Sequence, residues 1–190
     1  MSVSDVLRRI TTALDVAGIA YMLTGSFASA HHGAPRSTLD LDIVVAASPE
    51  QIKKFIGALP ANEYYADLNS ALDARSRESL FNIIDSLTGW KIDFIFRKSR
   101  RFSQEEFQRR KTIEFQGLEL FVATAEDIVI AKLEWAKLAQ SYRQLEDVAD
   151  ILRVRAGTLD RPYLDKWVAE LDLASEWQKA QTLSTRDLPQ

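Results

Sequence analysis

"GSFASAHHGAPRSTLDLDIVV", residues 25–45, ends in an apolar run that two aspartates, Asp40 and Asp42, interrupt. Aspartate is a poor strand former, and a carboxylate is seldom buried without a partner. Side chains at i and i+2 of a strand share a face, so Asp40 and Asp42 point one way while Leu39, Leu41, Ile43 and Val45 point the other. One face is core; the other begins with two carboxylates. In KIDFIF, residues 91–96, the same alternation sets Ile92, Phe94 and Phe96 against Lys91, Asp93 and Ile95. If the two strands lie side by side, three carboxylates meet. Two charges about 4 Å apart repel by roughly 4 kcal/mol at an effective dielectric near 20, so the cluster calls for a cation. For Asp93, an ion pair with Lys91 is the structural alternative.

Oxygen-only donors at strand ends suit Mg²⁺ or Mn²⁺, whose coordination is commonly completed by water and substrate phosphates. The chain has no cysteine, and its two histidines, His31 and His32, are adjacent and diverge on a helix, so they read as a helix end and not as metal ligands. Gly25-Ser26 falls where the short run IAYMLT passes into a small-residue helix. Glycine permits close backbone approach there, and the serine hydroxyl with the helix N–H groups can hold phosphate. Arg36 is placed to pair with Asp40 or with substrate phosphate. Neither G-x-x-x-x-G-K-[ST] nor G-x-G-x-x-G occurs, which disfavours a P-loop enzyme or a dinucleotide binder.

Around this stretch the pattern predicts a helix over 4–17 before Gly18, and another from Ser48-Pro49-Glu50-Gln51 to about Leu59, opened by an N-cap, a proline and a capping-box glutamine. Residues 63–79 read as polar and partly helical. SLFNIID and WKIDFIF form an expected hairpin across Ser-Leu-Thr-Gly, and TIEFQGLELFVA a second one turning near Gln116-Gly117. From Thr124, whose T-x-x-D pattern caps a helix, the signal is helical: a first helix through Leu138, a second over about 143–155, and a third restarting at Arg161-Pro162. Trp135, Trp167 and Trp177 are expected in core or interface. The expected fold class is α+β, a small mixed β-sheet flanked by helices, with a core over residues 1–123 and a helical C-terminal part over 124–190 in the same compact unit.

A net charge of −3 argues against a general basic coat, and no apolar run approaches membrane-spanning length. Asp5, Arg8 and Arg9 stand where a secretory signal needs an unbroken apolar stretch, so a cytoplasmic location and no membrane partner are expected. Residues 97–111, RKSRRFSQEEFQRRK, carry seven basic residues against two acidic ones. They are either a solvated surface or, through Arg100, Arg101, Arg109 and Arg110, a contact for RNA phosphates.

A Gly-Ser pair, thirteen residues, then DLD, with a further aspartate on a later strand, resembles the DNA polymerase β-like nucleotidyltransferase superfamily. "HGAPRSTLDLDIVV", "FNIIDSLTGWKIDFIF" and "AEDIVIAKLEWAK…RQLEDVADIL" are most similar to AbiEii/AbiGii-type toxin nucleotidyltransferases and their bacterial relatives, over about residues 20–155. The resemblance implies metal-dependent transfer of an NMP from an NTP to an acceptor hydroxyl, with Asp40, Asp42 and Asp93 holding Mg²⁺ or Mn²⁺ and Asp93 helping to activate the acceptor. It implies phosphate contacts by Gly25 and Ser26, and triphosphate contacts by Lys132 and Arg143; Glu146 stands where relatives often carry a lysine. The acceptor it implies is an RNA such as a tRNA end, a protein or a small molecule such as an antibiotic. A toxin of this kind would have an antitoxin partner. The rival expectation is a catalytically silent nucleotide- or partner-binding module of the same fold.

Overall fold

In the computed structural model, which describes residues 2–35 and 38–186, the two aspartate-bearing runs are neighbouring parallel strands. The elements in chain order are α1 (Val3–Ala17), β1 (Ala20–Thr24), α2 (Gly25–His32), β2 (Asp40–Ala46), α3 (Pro49–Ala58), β3 (Tyr64–Tyr65), α4 (Leu68–Ser76), β4 (Leu80–Asp85), β5 (Lys91–Phe96), α5 (Arg101–Arg109), β6 (Lys111–Phe115), β7 (Leu118–Val122), α6 (Ala125–Ala139), α7 (Tyr142–Arg155), α8 (Arg161–Glu170) and α9 (Ala174–Arg186). Contacts divide them into two units, residues 2–24 with 38–123 and residues 25–35 with 124–186.

The first unit holds one mixed seven-stranded sheet in the order β3-β4-β5-β2-β1-β7-β6. The β2/β5 and β1/β7 pairs are parallel; the others are antiparallel. Both expected hairpins form, β4 with β5 and β6 with β7. The strict alternation of KIDFIF and LFNIID sends Ile92, Phe94, Phe96, Phe81 and Ile83 to one face, where all are buried. There Phe81 stacks on Phe94 with centroids 5.2 Å apart, and Phe55 of α3 meets Phe94 edge-on at 5.2 Å. Helix α1 adds Leu7, Ile10 and Leu14, the stripe that its spacing predicts, and ends at Gly18 in the left-handed conformation. Helix α3 opens with the expected capping box: the Gln51 N–H donates to Ser48 Oγ at 3.2 Å and the Ser48 N–H to Gln51 Oε1 at 2.8 Å. The fold class is therefore the α+β mixed sheet with helices that the sequence predicts.

The second unit is helical. α6 packs against α2, α7, α8 and α9, and α7 against α9. Its core includes Ile128, Val129, Leu133, Val148, Ile151, Leu164 and Trp167. Thr124 caps α6 as its T-x-x-D pattern predicts, accepting from the Asp127 N–H at 3.2 Å. Where α2 ends, Gly33 has φ +118°, and a Cβ there would lie 2.7–2.9 Å from the Val154 side chain of α7.

The two-residue β3 escapes the sequence pattern, and the bounds of α5 within the basic stretch and of α9 in the helical part are not set by it. Trp167 and Trp177 are buried as expected, but Trp135 is 57% exposed and is no core residue of this chain. It faces outward because α6 buries Ile128, Val129, Lys132, Leu133 and Ala136 instead.

Candidate active site

Strand register puts the acids together on the face opposite the aromatic core. Asp42 of β2 lies beside Asp93 of β5, and Asp40 lies beside Lys91. Asn82 of β4 flanks Asp93 on its other side, and Thr24 of β1 flanks Asp42. Neighbouring strands are about 4.8 Å apart, so this is a continuous polar row across the middle of the sheet. Asp40 is exposed; Asp42 and Asp93 are half-buried. The Asp40 N–H donates to Thr38 Oγ1 at 3.0 Å, which fixes the entry into β2.

The row contains its own cation. Lys91 Nζ donates to Asp93 Oδ2 at 2.7 Å, so the ion pair that the sequence offered as an alternative is present. That hydrogen bond holds the Lys91 ammonium above the ordinary lysine range, against a desolvation penalty, and the negative charges of Asp93, Asp40 and Asp42 add to it. Among the described residues no group of three His, Asp or Glu side chains stands arranged to hold an ion. The donor set nonetheless fits a hard divalent cation. It is carboxylate oxygen throughout, and Asp93 Oδ1 is buried and accepts no hydrogen bond from the described residues, an oxygen that costs stability unless something positive reaches it.

Gly25 follows Thr24 directly and opens α2 at φ +59°, a conformation that glycine adopts without strain. Ser26 is buried. Arg36 lies outside the described residues. Within the second unit Lys132 is buried, its Nζ 2.6 Å from Asp147 Oδ2 and 3.1 Å from Gln144 Oε1. Arg143, exposed on α7, lines a polar cavity of about 440 Å³ with Glu146, Asp147, Asp150 and Arg153. The lysine and arginine named from the sequence are thus connected through Asp147, which pairs with one and lines a cavity with the other.

In the basic stretch, the guanidinium groups of Arg97 and Arg110 lie over the Phe107 ring at 5.4 and 4.4 Å, and that of Arg100 over Phe102 at 5.4 Å. The stretch is in part a packing device that covers aromatic rings with cations.

The buried acid Asp85 was missed, and the capping acid Asp127 has a partner beyond its own helix. Asp85, fully buried at the end of β4, accepts from Arg9 and from the N–H groups of Leu87 and Thr88 at 3.0 and 3.2 Å. Asp127 accepts from the hydroxyls of Thr124 and Tyr163. An aspartate opening a Ser-Leu-Thr-Gly turn signals Asp85 as a turn anchor; nothing local signals Arg9.

No protein-family model matches the chain, and no curated protein matches it. Solved structures do. The antibiotic-resistance factor ANT(2'')-Ia, determined in solution, superposes with a TM-score of 0.53 at 10% identity, over 96% of this chain and 98% of that one. An antigenic nucleotidyltransferase-like protein from Paracoccidioides brasiliensis aligns at 18% identity over 90% of both chains, with a TM-score of 0.46. With the mixed sheet and its helices in place, the likeness to ANT(2'')-Ia shows that this chain has the nucleotidyltransferase fold.

Proposed function

We propose that the protein is a metal-dependent nucleotidyltransferase that moves a nucleoside monophosphate from an NTP to an acceptor hydroxyl. The observation that carries this reading is the placement of Asp42 beside Asp93, with Asp40 on the same face, in a sheet of nucleotidyltransferase fold. Asp40, Asp42 and Asp93 would hold Mg²⁺ or Mn²⁺. The ion supplies charge to balance the polyphosphate and lowers the pKa of the attacking hydroxyl. In the transfer, the acceptor oxygen forms a bond to the α-phosphorus, the bond from that phosphorus to the α,β-bridging oxygen breaks, and pyrophosphate leaves. Asp93 takes the hydroxyl proton on its carboxylate. Asp40 and Asp42 would hold the ion that balances the charge of the α-phosphate.

From the resemblance we take phosphate contacts for Gly25, Ser26, Lys132 and Arg143, and from its place near the acids in the sequence one for Arg36. Lys132 would have to exchange Asp147 for phosphate to make one. The acceptors proposed are RNA, with the protein acting as a toxin held by an antitoxin, or else a protein or a small molecule. Incubation with each α-³²P-labelled NTP and Mg²⁺, in the presence of total RNA, cell protein or a panel of small polyols and aminoglycosides, tests both levels. Label in RNA supports the full reading, and label in one of the other acceptors keeps the reaction and replaces the acceptor. No label in any, from protein that is folded, rejects the reaction in favour of a silent binding module.

A further inference from the structure

One charged side chain of the acid row has no task in the proposed reaction. Lys91 is directly across from Asp40, two residues before Asp93 on the same face, and diagonal to Asp42. Its ammonium is 2.7 Å from Asp93 Oδ2, on a side chain that is 45% exposed, whereas the Asp93 side chain is 14% exposed. A group whose purpose were to cement the sheet would be enclosed with its partner. This one reaches in from the solvent side on a flexible four-carbon stem and can leave the same way. The neighbouring oxygen, Asp93 Oδ1, is buried and is bonded neither by the ammonium nor by another donor among the described residues. The ammonium therefore satisfies the Asp93 carboxylate incompletely.

Resting on the metal-nucleotide reading above, we propose that Lys91 is the internal counter-cation of the acid row: its ammonium takes a divalent ion's place among Asp40, Asp42 and Asp93 and must be displaced when the ion enters. Metal alone then competes with a tethered cation that is always present. Metal arriving with nucleotide does not compete on the same terms, since the polyphosphate brings further oxygen ligands for the ion and a new anionic partner for the displaced ammonium. Lys91 thereby couples metal uptake to nucleotide uptake.

The test is Mn²⁺ binding without nucleotide, measured by calorimetry and by the loss of the free-ion electron paramagnetic resonance signal. The proteins are wild type, Lys91→Met and Lys91→Arg, with Asp42→Asn marking where the ion sits. Lys91→Met is expected to bind Mn²⁺ at least about tenfold tighter than wild type, because the competing charge is gone. Lys91→Arg, which keeps the charge, is expected to stay near wild type, and Asp42→Asn to lose the ion. A structural lysine would not raise metal affinity on removal, so equal affinity in wild type and Lys91→Met overturns the proposal. If Lys91→Met is unfolded without metal, recovery of a cooperative melt on adding Mn²⁺ supports the proposal, and failure to recover overturns it. Wild type that binds Mg²⁺ with NTP while Lys91→Met shows unchanged Mn²⁺ affinity defeats this inference alone; no binding of Mg²⁺ with NTP by wild type defeats it together with the proposed function.

Discussion

Asp85 and Asp93 sit on adjacent strands of one sheet, and their surroundings give them opposite tasks. Asp85 points into the core face, where Arg9 and two turn amides satisfy it, and its burial is complete. Removing one partner of such a pair strands the other charge, so Asp85→Ala is expected to cost about 3 kcal/mol or somewhat less, since Arg9 retains some solvent. Asp85→Asn is expected to cost less, because an amide oxygen still accepts from the turn. Urea denaturation of the two variants measures both; equal, negligible losses would show that the ion pair and turn contribute little. Asp93 points the other way, and its Oδ1 has no donor among the described residues, which leaves that oxygen open to a cation. The direction of Asp40, Asp42 and Asp93 was legible because strand alternation is strict and their neighbours Leu41, Ile43, Ile92 and Phe94 are unambiguously apolar. Asp85 was less legible: its principal partner lies 76 residues away on α1, a distance that no local pattern spans.

At the level of elements, legibility followed capping chemistry. Ser48-x-x-Gln51 and Thr124-x-x-Asp127 each announced a helix by a hydrogen bond that the structure contains. The basic stretch concealed α5 because only Phe102, Ser103 and Phe107 of that helix are buried, too few for a periodic stripe, and the arginines that flank them read as surface. β3 is two residues long, below the length at which alternation can be seen. Gly33 shows how an element's end is fixed by a neighbour: its φ of +118° and the adjoining Val154 side chain both exclude a Cβ. Gly33→Ala is therefore expected to destabilise by about 1–3 kcal/mol. Adding Val154→Ala should recover only part of this, because the backbone strain persists after the clash is relieved. Chemical denaturation of the single and double variants checks the sign and the partial recovery; a neutral Gly33→Ala would contradict the close approach of α2 and α7.

For the whole molecule, the two hairpins and the aspartate strands sufficed to predict a mixed sheet, because each was bounded by turn residues. What they could not supply was the strand order, which requires β1 to join β2 to the β6/β7 hairpin through one antiparallel and one parallel pairing. Nor could they reveal that residues 25–35 group with 124–186, since α2 buries only small residues such as Ala28 and Ser29, whose partners leave no trace in its own sequence. The sheet order places the β2/β5 pair at the middle of the unit, with antiparallel strands on both sides, so its acids are held by a scaffold and not by a loop. That is the arrangement a site for charge stabilisation needs.

The proposed function requires the acid row to bind a metal-nucleotide complex. It is tested most directly by equilibrium binding of NTP with and without Mg²⁺, read as a stability increment in wild type, Asp42→Asn and Asp93→Asn. In wild type, Mg²⁺ with NTP at a hundred times the dissociation constant is predicted to add about 2.7 kcal/mol, more than either component alone. Both variants are predicted to stay folded and lose the magnesium-dependent part. An increment that is the same with and without Mg²⁺, or that survives intact in both variants, would contradict the account.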